Sequence, residues 1–219
     1  MKKIKESKFV IGFVKVTGAL PALLFFKPKV YYSKANTKKQ KLCHPSILVS
    51  NHTSLMDFAL YLIVFFNVNI RFLMAEVLFR KSKLFSWFLY KLGAIFVNRD
   101  AFDFGFMGEA LESLDNGRVI GIFPQGRLPI GDKPLDFKPS MAFIALHTNA
   151  PVIPVYTDGN YSLFKRARII IGEEMYIKDI CPQGMSDKEA VDFFTKETQK
   201  RVYELKDELK DITEHKNER

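Results

Sequence analysis

Cysteine is scarce in this chain of 219 residues, which contains only Cys43 and Cys181. The two lie far apart in the sequence, and neither belongs to a C-x-x-C pair. A disulfide-stapled scaffold and a cysteine-ligated zinc module both require more cysteines at closer spacing. The cysteine content therefore argues against both classes and fits a protein of a reducing compartment.

Motifs for nucleotide and nucleic-acid binding are also missing. The Walker pattern G-x-x-x-x-G-K-[ST] does not occur, and we find no RRM, zinc-finger or helix-turn-helix pattern. No clustering of metal ligands is visible either. We therefore expect neither a nucleic-acid partner nor a metal.

Acidic residues are nearly absent from the first 41 positions, which hold eleven of the 33 basic residues but only one of the 24 acidic residues, Glu6. This segment has a net charge of +10. The rest of the chain, with 22 basic and 23 acidic residues, has a net charge of −1. The basicity therefore belongs to the N-terminal segment and not to the body of the protein.

An apolar run at residues 9–26 lies among these lysines and is interrupted by Lys15 and Pro21. It is slightly short for a membrane-spanning helix, which needs about 20 residues. It ends in Lys-Pro-Lys and not in a signal-peptide cleavage site. We expect residues 1–41 to be a basic amphipathic segment, a kinked pair of helices on the cytoplasmic face of the cell membrane, peripheral or monotopic, facing anionic lipid. A soluble helix packed on the core is the alternative.

Strand-like and helical patterns alternate along the rest of the chain. Strands are predicted at 46–50, 70–75, 93–98, 118–124, 151–156 and 167–172, and helices at 55–66, 76–92, 102–115, 139–148 and from 186 onward. This alternation predicts one α/β domain, residues 42–219, with a mixed, largely parallel sheet flanked by helices.

Polar stretches follow three of the predicted strands, at 51–57, 98–100 and 124–127. Ligands of open α/β sheets gather beyond the carboxyl ends of the strands. We therefore expect these three stretches to meet in one functional site.

The first stretch places His52 five positions before Asp57. In a functional interpretation, His52 is a general base, and Asp57 fixes its tautomer and stabilises the imidazolium. In a structural interpretation, Asp57 belongs to an S-x-x-D capping signal that starts at Ser54. The two roles are compatible, and the spacing alone does not choose between them.

Taken in order, four stretches resemble the motifs of the lysophospholipid acyltransferase family, which includes bacterial 1-acylglycerol-3-phosphate acyltransferases. The N-H-x-x-x-x-D motif matches residues 51–57, and the G-x-x-x-V-x-R-like block matches 93–99. The F-P-E-G-T-R motif matches from Phe123 onward, and the V-P-V-like block matches 152–155. The resemblance covers roughly residues 46–172.

Two positions depart from the family pattern. Gln125 replaces the family's glutamate, and Arg127 stands one position before the family's arginine. A carboxylate only accepts hydrogen bonds, whereas an amide also donates them. If donors converge on this side chain, we expect Gln125→Glu to raise catalytic efficiency.

The resemblance implies transfer of a fatty acyl group from a thioester of CoA or acyl carrier protein to a lysophospholipid. The simplest such reaction converts 1-acylglycerol-3-phosphate into phosphatidic acid, with no cofactor beyond the donor. His52 would be the base, and Asp57 would orient it.

Roles for the remaining site residues also follow from the resemblance. The loop containing Gln125 and Gly126 would contribute N–H groups for the oxyanion, and Arg99 and Arg127, with Lys138, would hold the acceptor phosphate. A non-catalytic lipid-binding relative and a hydrolase with the same His–Asp pair remain alternatives.

Overall fold

Seven strands form one sheet in the computed structural model, which describes residues 6–42, 45–98, 105–129, 135–161 and 165–214. In chain order they are β1 (Lys29–Tyr32), β2 (Ser46–Ser50), β3 (Ile70–Ala75), β4 (Ile95–Val97), β5 (Val119–Ile122), β6 (Val152–Thr157) and β7 (Arg168–Ile171). Their spatial order is β1-β7-β6-β2-β5-β3-β4. Neighbouring strands are parallel except for β6 and β7. The prediction of a mixed, largely parallel sheet is confirmed.

Helices precede the sheet and flank it. They are α1 (Lys8–Phe26), α2 (Asp57–Val64), α3 (Glu76–Phe79), α4 (Lys83–Lys91), α5 (Gly105–Asp115), α6 (Ser140–Thr148), α7 (Ile177–Ile180) and α8 (Asp187–Glu214). The single helix predicted at 76–92 is divided into α3 and α4. Ser82 causes the division, because its hydroxyl accepts a hydrogen bond from the N–H of Phe85 and so begins a new helix.

The core lies on both faces of the sheet. Along β2, Leu48 packs into the cluster beside α2, whereas Ile47 and Val49 pack into the cluster beside α6 and α8. All five residues of β2 are buried. A central strand covered on both faces explains why the three inner residues of β2 are all apolar and do not alternate with polar residues.

The N-terminal apolar run forms one helix, α1, and not the expected kinked pair, although Pro21 lies inside it. Large apolar side chains are exposed along one stripe of α1: Phe9, Phe13, Val16, Leu20, Leu23 and Leu24. By length and composition this helix is able to cross a membrane.

Lys15 lies on the opposite, buried side of α1. Its ammonium donates to the carbonyl oxygens of Phe66 and Val68 and to Oδ1 of Asn69, at 2.7, 2.8 and 2.9 Å. Burial lowers the pKa of Lys15. The lysine that interrupts the apolar run is therefore the group that joins α1 to the turn after α2.

The sheet also includes β1, which the sequence did not predict and which lies within the basic segment 1–41. It pairs in parallel with β7, with Val30 opposite Ile169. The segment that carries the excess positive charge thus contributes an edge strand to the sheet.

Candidate active site

Three loops meet at the carboxyl ends of β6, β2 and β5, which are adjacent in the sheet. His52 follows β2, Gln125 follows β5 and Tyr161 follows β6. The parallel direction of these strands brings their ends to one edge of the sheet. Two of the three polar stretches, 51–57 and 124–127, therefore meet as expected.

Asn51 fixes the backbone immediately before His52. Its side-chain oxygen accepts from the N–H of Thr157, and its side-chain NH₂ donates to the carbonyl of the same residue, both at 2.9 Å. The buried amide thus extends the pairing of β2 with β6 by one position. The peptide that leads into His52 is held by this pair of bonds.

His52 and Asp57 form a hydrogen-bonded pair. The His52 Nδ1 atom lies 2.7 Å from Asp57 Oδ2, and the Asp57 side chain is completely buried, whereas the His52 side chain is 16% exposed. With Nδ1 bonded to the carboxylate, Nε2 is the ring nitrogen that remains to accept a proton. This is the arrangement that a general base and its orienting carboxylate require.

Asp57 accepts further hydrogen bonds from the loop in front of α2. Thr53 donates through its N–H at 2.7 Å and its hydroxyl at 2.8 Å, and the N–H of Ser54 donates at 3.0 Å. These bonds offset the cost of burying a carboxylate. Asp57 therefore fixes the loop before α2 and is also hydrogen-bonded to His52, a geometry that is compatible with both interpretations drawn from the sequence.

Tyr161 is a further partner of this carboxylate that the sequence did not reveal. Its hydroxyl donates to Asp57 Oδ1. Burial and the negative charge of Asp57 raise the pKa of Tyr161 well above its ordinary value, so the hydroxyl stays a neutral donor. The ring of Phe26, the last residue of α1, packs edge-on against Tyr161 at 5.4 Å. No local motif marks this tyrosine, because it lies 104 residues from Asp57 in the chain.

Phe123 packs against one face of the His52 imidazole. The two rings are stacked with centroids 4.4 Å apart and an interplanar angle of 16°. Phe72 continues the stack on Phe123 at 5.7 Å and 9°. The ring of His52 is thus fixed by a flat aromatic contact as well as by its bond to Asp57.

Gln125 connects the loop after β5 with both His52 and the C-terminal helix. Its Oε1 atom accepts from the backbone N–H of His52 at 2.6 Å. Its Nε2 atom lies 3.5 Å from the hydroxyl of Tyr203, on α8. Gln125 is buried, and its bond to His52 holds the loop after β5 against the loop after β2.

Gly126 turns the backbone between Gln125 and Arg127. Its φ of +69° favours glycine, and a Cβ at this position would lie 3.1 Å from Cε of Lys138. Its N–H donates to the carbonyl of Phe123 at 3.0 Å, so this N–H is engaged in the turn. Arg127 and Lys138 are exposed and line the same pocket as His52, whereas Arg99 lies outside the described residues.

The pocket in front of His52 has a volume of about 1050 Å³. Its wall is mostly apolar and includes Phe72, Met74, Leu78, Phe85, Leu89 and Phe106. A concave, apolar site with a few polar groups is typical of a binding site for a largely apolar ligand. Among the described residues, no group of three or more His, Cys, Asp or Glu side chains is placed to hold a metal ion.

Comparison with known proteins agrees with these features. A sequence model of the Acyltransferase family matches residues 30–158. The 1-acyl-sn-glycerol-3-phosphate acyltransferase of Bacillus subtilis (strain 168) is 27% identical over 168 residues, which cover 74% of this chain and 82% of the relative. The crystal structure of the 1-acyl-sn-glycerophosphate (LPA) acyltransferase PlsC from Thermotoga maritima superposes with a TM-score of 0.61 and 27% identity, covering 91% of this chain and 80% of that one. The resemblance inferred from the four motifs is confirmed.

Proposed function

Because this chain belongs to the Acyltransferase family, we propose that it transfers a fatty acyl group from an acyl thioester to the free hydroxyl of a lysophospholipid. The simplest acceptor is 1-acylglycerol-3-phosphate, which yields phosphatidic acid. The observation that carries this proposal is the His52–Asp57 pair at an apolar pocket that three cationic side chains, Lys81, Arg127 and Lys138, also line.

The His52 imidazole supplies the base that an alcohol nucleophile needs at neutral pH. Nε2 removes the proton from the acceptor hydroxyl as its oxygen attacks the thioester carbonyl. The C–O bond forms, the tetrahedral oxyanion collapses and the C–S bond breaks. The imidazolium, stabilised by Asp57, then returns the proton to the leaving thiolate.

The pocket would bind the acyl chain with its reacting end near His52. Aromatic and aliphatic side chains line most of its wall, which suits a hydrocarbon chain. Arg127 and Lys138 would bind the acceptor phosphate, since an arginine fork and a lysine ammonium both pair with phosphate oxygens. Arg99 is proposed as a third phosphate-binding residue only because it matches the family motif.

The acyl donor is a thioester of CoA or of acyl carrier protein. The chemistry requires only an activated carbonyl and a thiolate leaving group, and both carriers provide these. No cofactor enters the mechanism.

The N-terminal segment would hold the enzyme on the cytoplasmic face of the cell membrane. Its net charge of +10 is attracted to anionic headgroups, and the exposed apolar stripe of α1 provides the surface that enters the bilayer. The acceptor is itself a membrane lipid, so this attachment brings the site to its substrate.

The test is to offer the purified protein acyl-CoA or acyl-acyl carrier protein, with and without lysophosphatidic acid, and to identify the products by mass spectrometry. Phosphatidic acid formed only in the presence of the acceptor supports the proposal. Free fatty acid released at the same rate without acceptor would identify a hydrolase. Lipid binding without any product, in a folded protein, would identify a non-catalytic relative.

A further inference from the structure

Residues 77–98 form a second basic region, separate from the N-terminal segment. They contain Arg80, Lys81, Lys83 and Lys91 but no aspartate or glutamate. The body of the chain as a whole is close to neutral. This 22-residue stretch, which includes most of α3 and all of α4, is therefore a local concentration of positive charge.

Three cations just before α4 and at its first residue are exposed to solvent. Arg80, Lys81 and Lys83 are all exposed. In the part of the chain that the structure describes, no ion pair involves any of these three. Their charge is therefore available to an external anionic partner.

Large apolar side chains are exposed among these cations. Leu84 is 76% exposed and Trp87 is 44% exposed. Leu84, Trp87 and Lys91 are spaced at i, i+3 and i+7 and so share one face of α4. The Lys91 ammonium lies over the Trp87 ring, 5.9 Å from its centroid, while Leu89 on the other side of the helix is buried.

This surface borders both the pocket and the start of α1. Val77 and Lys81 belong to the pocket lining. The N–H of Ser7, just before α1, donates to the carbonyl of Lys91 at the end of α4, at 3.0 Å. Phe9, two residues further on, is 80% exposed. The exposed apolar stripe of α1 thus begins beside the C-terminal end of α4.

We propose that the surface formed by Arg80, Lys81, Lys83, Leu84 and Trp87, here called the α4 surface, is a second membrane contact, which docks on a bilayer containing anionic lipid. Lysine and arginine bind the headgroups, while leucine and the amphipathic tryptophan ring enter the boundary below them. A site that bound an acidic protein through charge alone would not require an exposed leucine, and Leu84 is three-quarters exposed. The inference rests on the proposed use of a membrane lipid as acceptor, and it places the pocket rim directly against the membrane.

Trp87 is the only tryptophan of the chain, so its fluorescence reports on this surface alone. The full-length protein is mixed with vesicles of phosphatidylcholine containing phosphatidylglycerol, with and without brominated phosphatidylcholine. Sedimentation of the same samples measures total attachment, including that through α1. We expect a blue shift of Trp87 emission and quenching by the brominated lipid, in samples where the protein sediments with the vesicles.

Protein that sediments with the vesicles while Trp87 emission stays unshifted and unquenched would overturn the proposal and leave attachment through α1 intact. A shift produced by acyl carrier protein but not by vesicles would overturn it in favour of a protein partner. Neither outcome depends on acyl transfer, so a failure here is distinct from a failure of the proposed reaction.

Two variants that remove the same number of charges distinguish a local contact at the α4 surface from an effect of the protein's total charge. Arg80→Gln/Lys83→Gln removes two positive charges from the α4 surface, and Lys188→Gln/Lys196→Gln removes two from exposed positions of α8. We expect the first pair to weaken vesicle partitioning by at least about fivefold and the second to leave it nearly unchanged. Equal losses in both pairs would show that only net charge matters and would contradict a local contact.

Discussion

The backbone N–H of His52 donates a hydrogen bond of 2.6 Å to the side-chain oxygen of Gln125, 73 residues further along the chain. The NH₂ group of the same amide faces the hydroxyl of Tyr203. A tyrosine hydroxyl donates as well as accepts. Either an amide or a carboxylate at position 125 therefore satisfies both neighbours, and the mismatch suggested by the sequence is not found.

We accordingly expect Gln125→Glu to change kcat/KM by no more than about threefold. Gln125→Leu leaves the His52 N–H without its acceptor, at a cost of about 1–3 kcal/mol, and should reduce kcat/KM by roughly tenfold or more. Steady-state kinetics with a lysophosphatidic acid acceptor measures both. A tenfold gain in the glutamate variant would instead show that the amide weakens this site.

Tyr161 is expected to position Asp57 and not to contact substrate. Tyr161→Phe removes one hydrogen-bond donor from the Asp57 carboxylate, so the carboxylate and the His52 ring bonded to it are held less firmly. We therefore expect kcat to fall several-fold while KM for both substrates stays nearly unchanged, as steady-state kinetics would show.

The control for this variant is Tyr176→Phe. Tyr176 also donates to a carboxylate, that of Glu174 at 3.0 Å, but away from the His52–Asp57 pair. Its kcat and KM should match those of the unmodified protein. An unchanged kcat in Tyr161→Phe, or a loss of kcat accompanied by an equal rise in KM, would contradict a positioning role for Tyr161.

Lys15 should contribute to stability through the turn after α2. Lys15→Met leaves two backbone carbonyls and the Asn69 side chain without their shared donor, so the free energy of unfolding should fall by about 1–3 kcal/mol. Lys8→Met makes the same change at an exposed position of the same helix and should cost less than about 0.5 kcal/mol. Chemical denaturation in detergent compares the two, and equal effects would mean that the buried bonds of Lys15 add nothing.

Arg127 and Lys138 should determine the affinity for an anionic acceptor. Arg127→Gln and Lys138→Gln are each expected to raise KM for lysophosphatidic acid by about tenfold, with KM for the acyl donor nearly unchanged. Lys178→Gln, which removes an exposed cation on α7, is the control. Unchanged acceptor KM in both site variants would exclude these side chains from phosphate binding.

Local patterns predicted the parts of the site that lie close together in the chain. His52 and Asp57 occupy one loop, and the hydrogen bond between them spans only five positions, so their pairing was visible in the sequence. The apolar strands before His52 and Gln125 were visible in the same way, because buried parallel strands are continuous apolar runs.

Contacts between distant segments could not be predicted. Tyr161 and Tyr203 reach Asp57 and Gln125 only after the sheet has formed, and no spacing rule marks either tyrosine. In the sequence, Lys15 only interrupts an apolar run and argues against a membrane-spanning helix. Its structural role becomes clear only from its three hydrogen-bond acceptors. In each case a long-range hydrogen bond, and not a local preference, decides where the side chain lies.

The most direct measurement of the central claim is the rate of phosphatidic acid formation by the His52→Ala variant, beside the unmodified protein, from lysophosphatidic acid and an acyl thioester. Circular dichroism and the thermal midpoint establish that both proteins are folded. Because the proposed mechanism uses His52 as the base that activates the acceptor hydroxyl, we expect the rate to fall by ~10²–10⁴-fold with the fold retained. A folded His52→Ala protein that forms phosphatidic acid at nearly the unmodified rate would contradict the proposed mechanism.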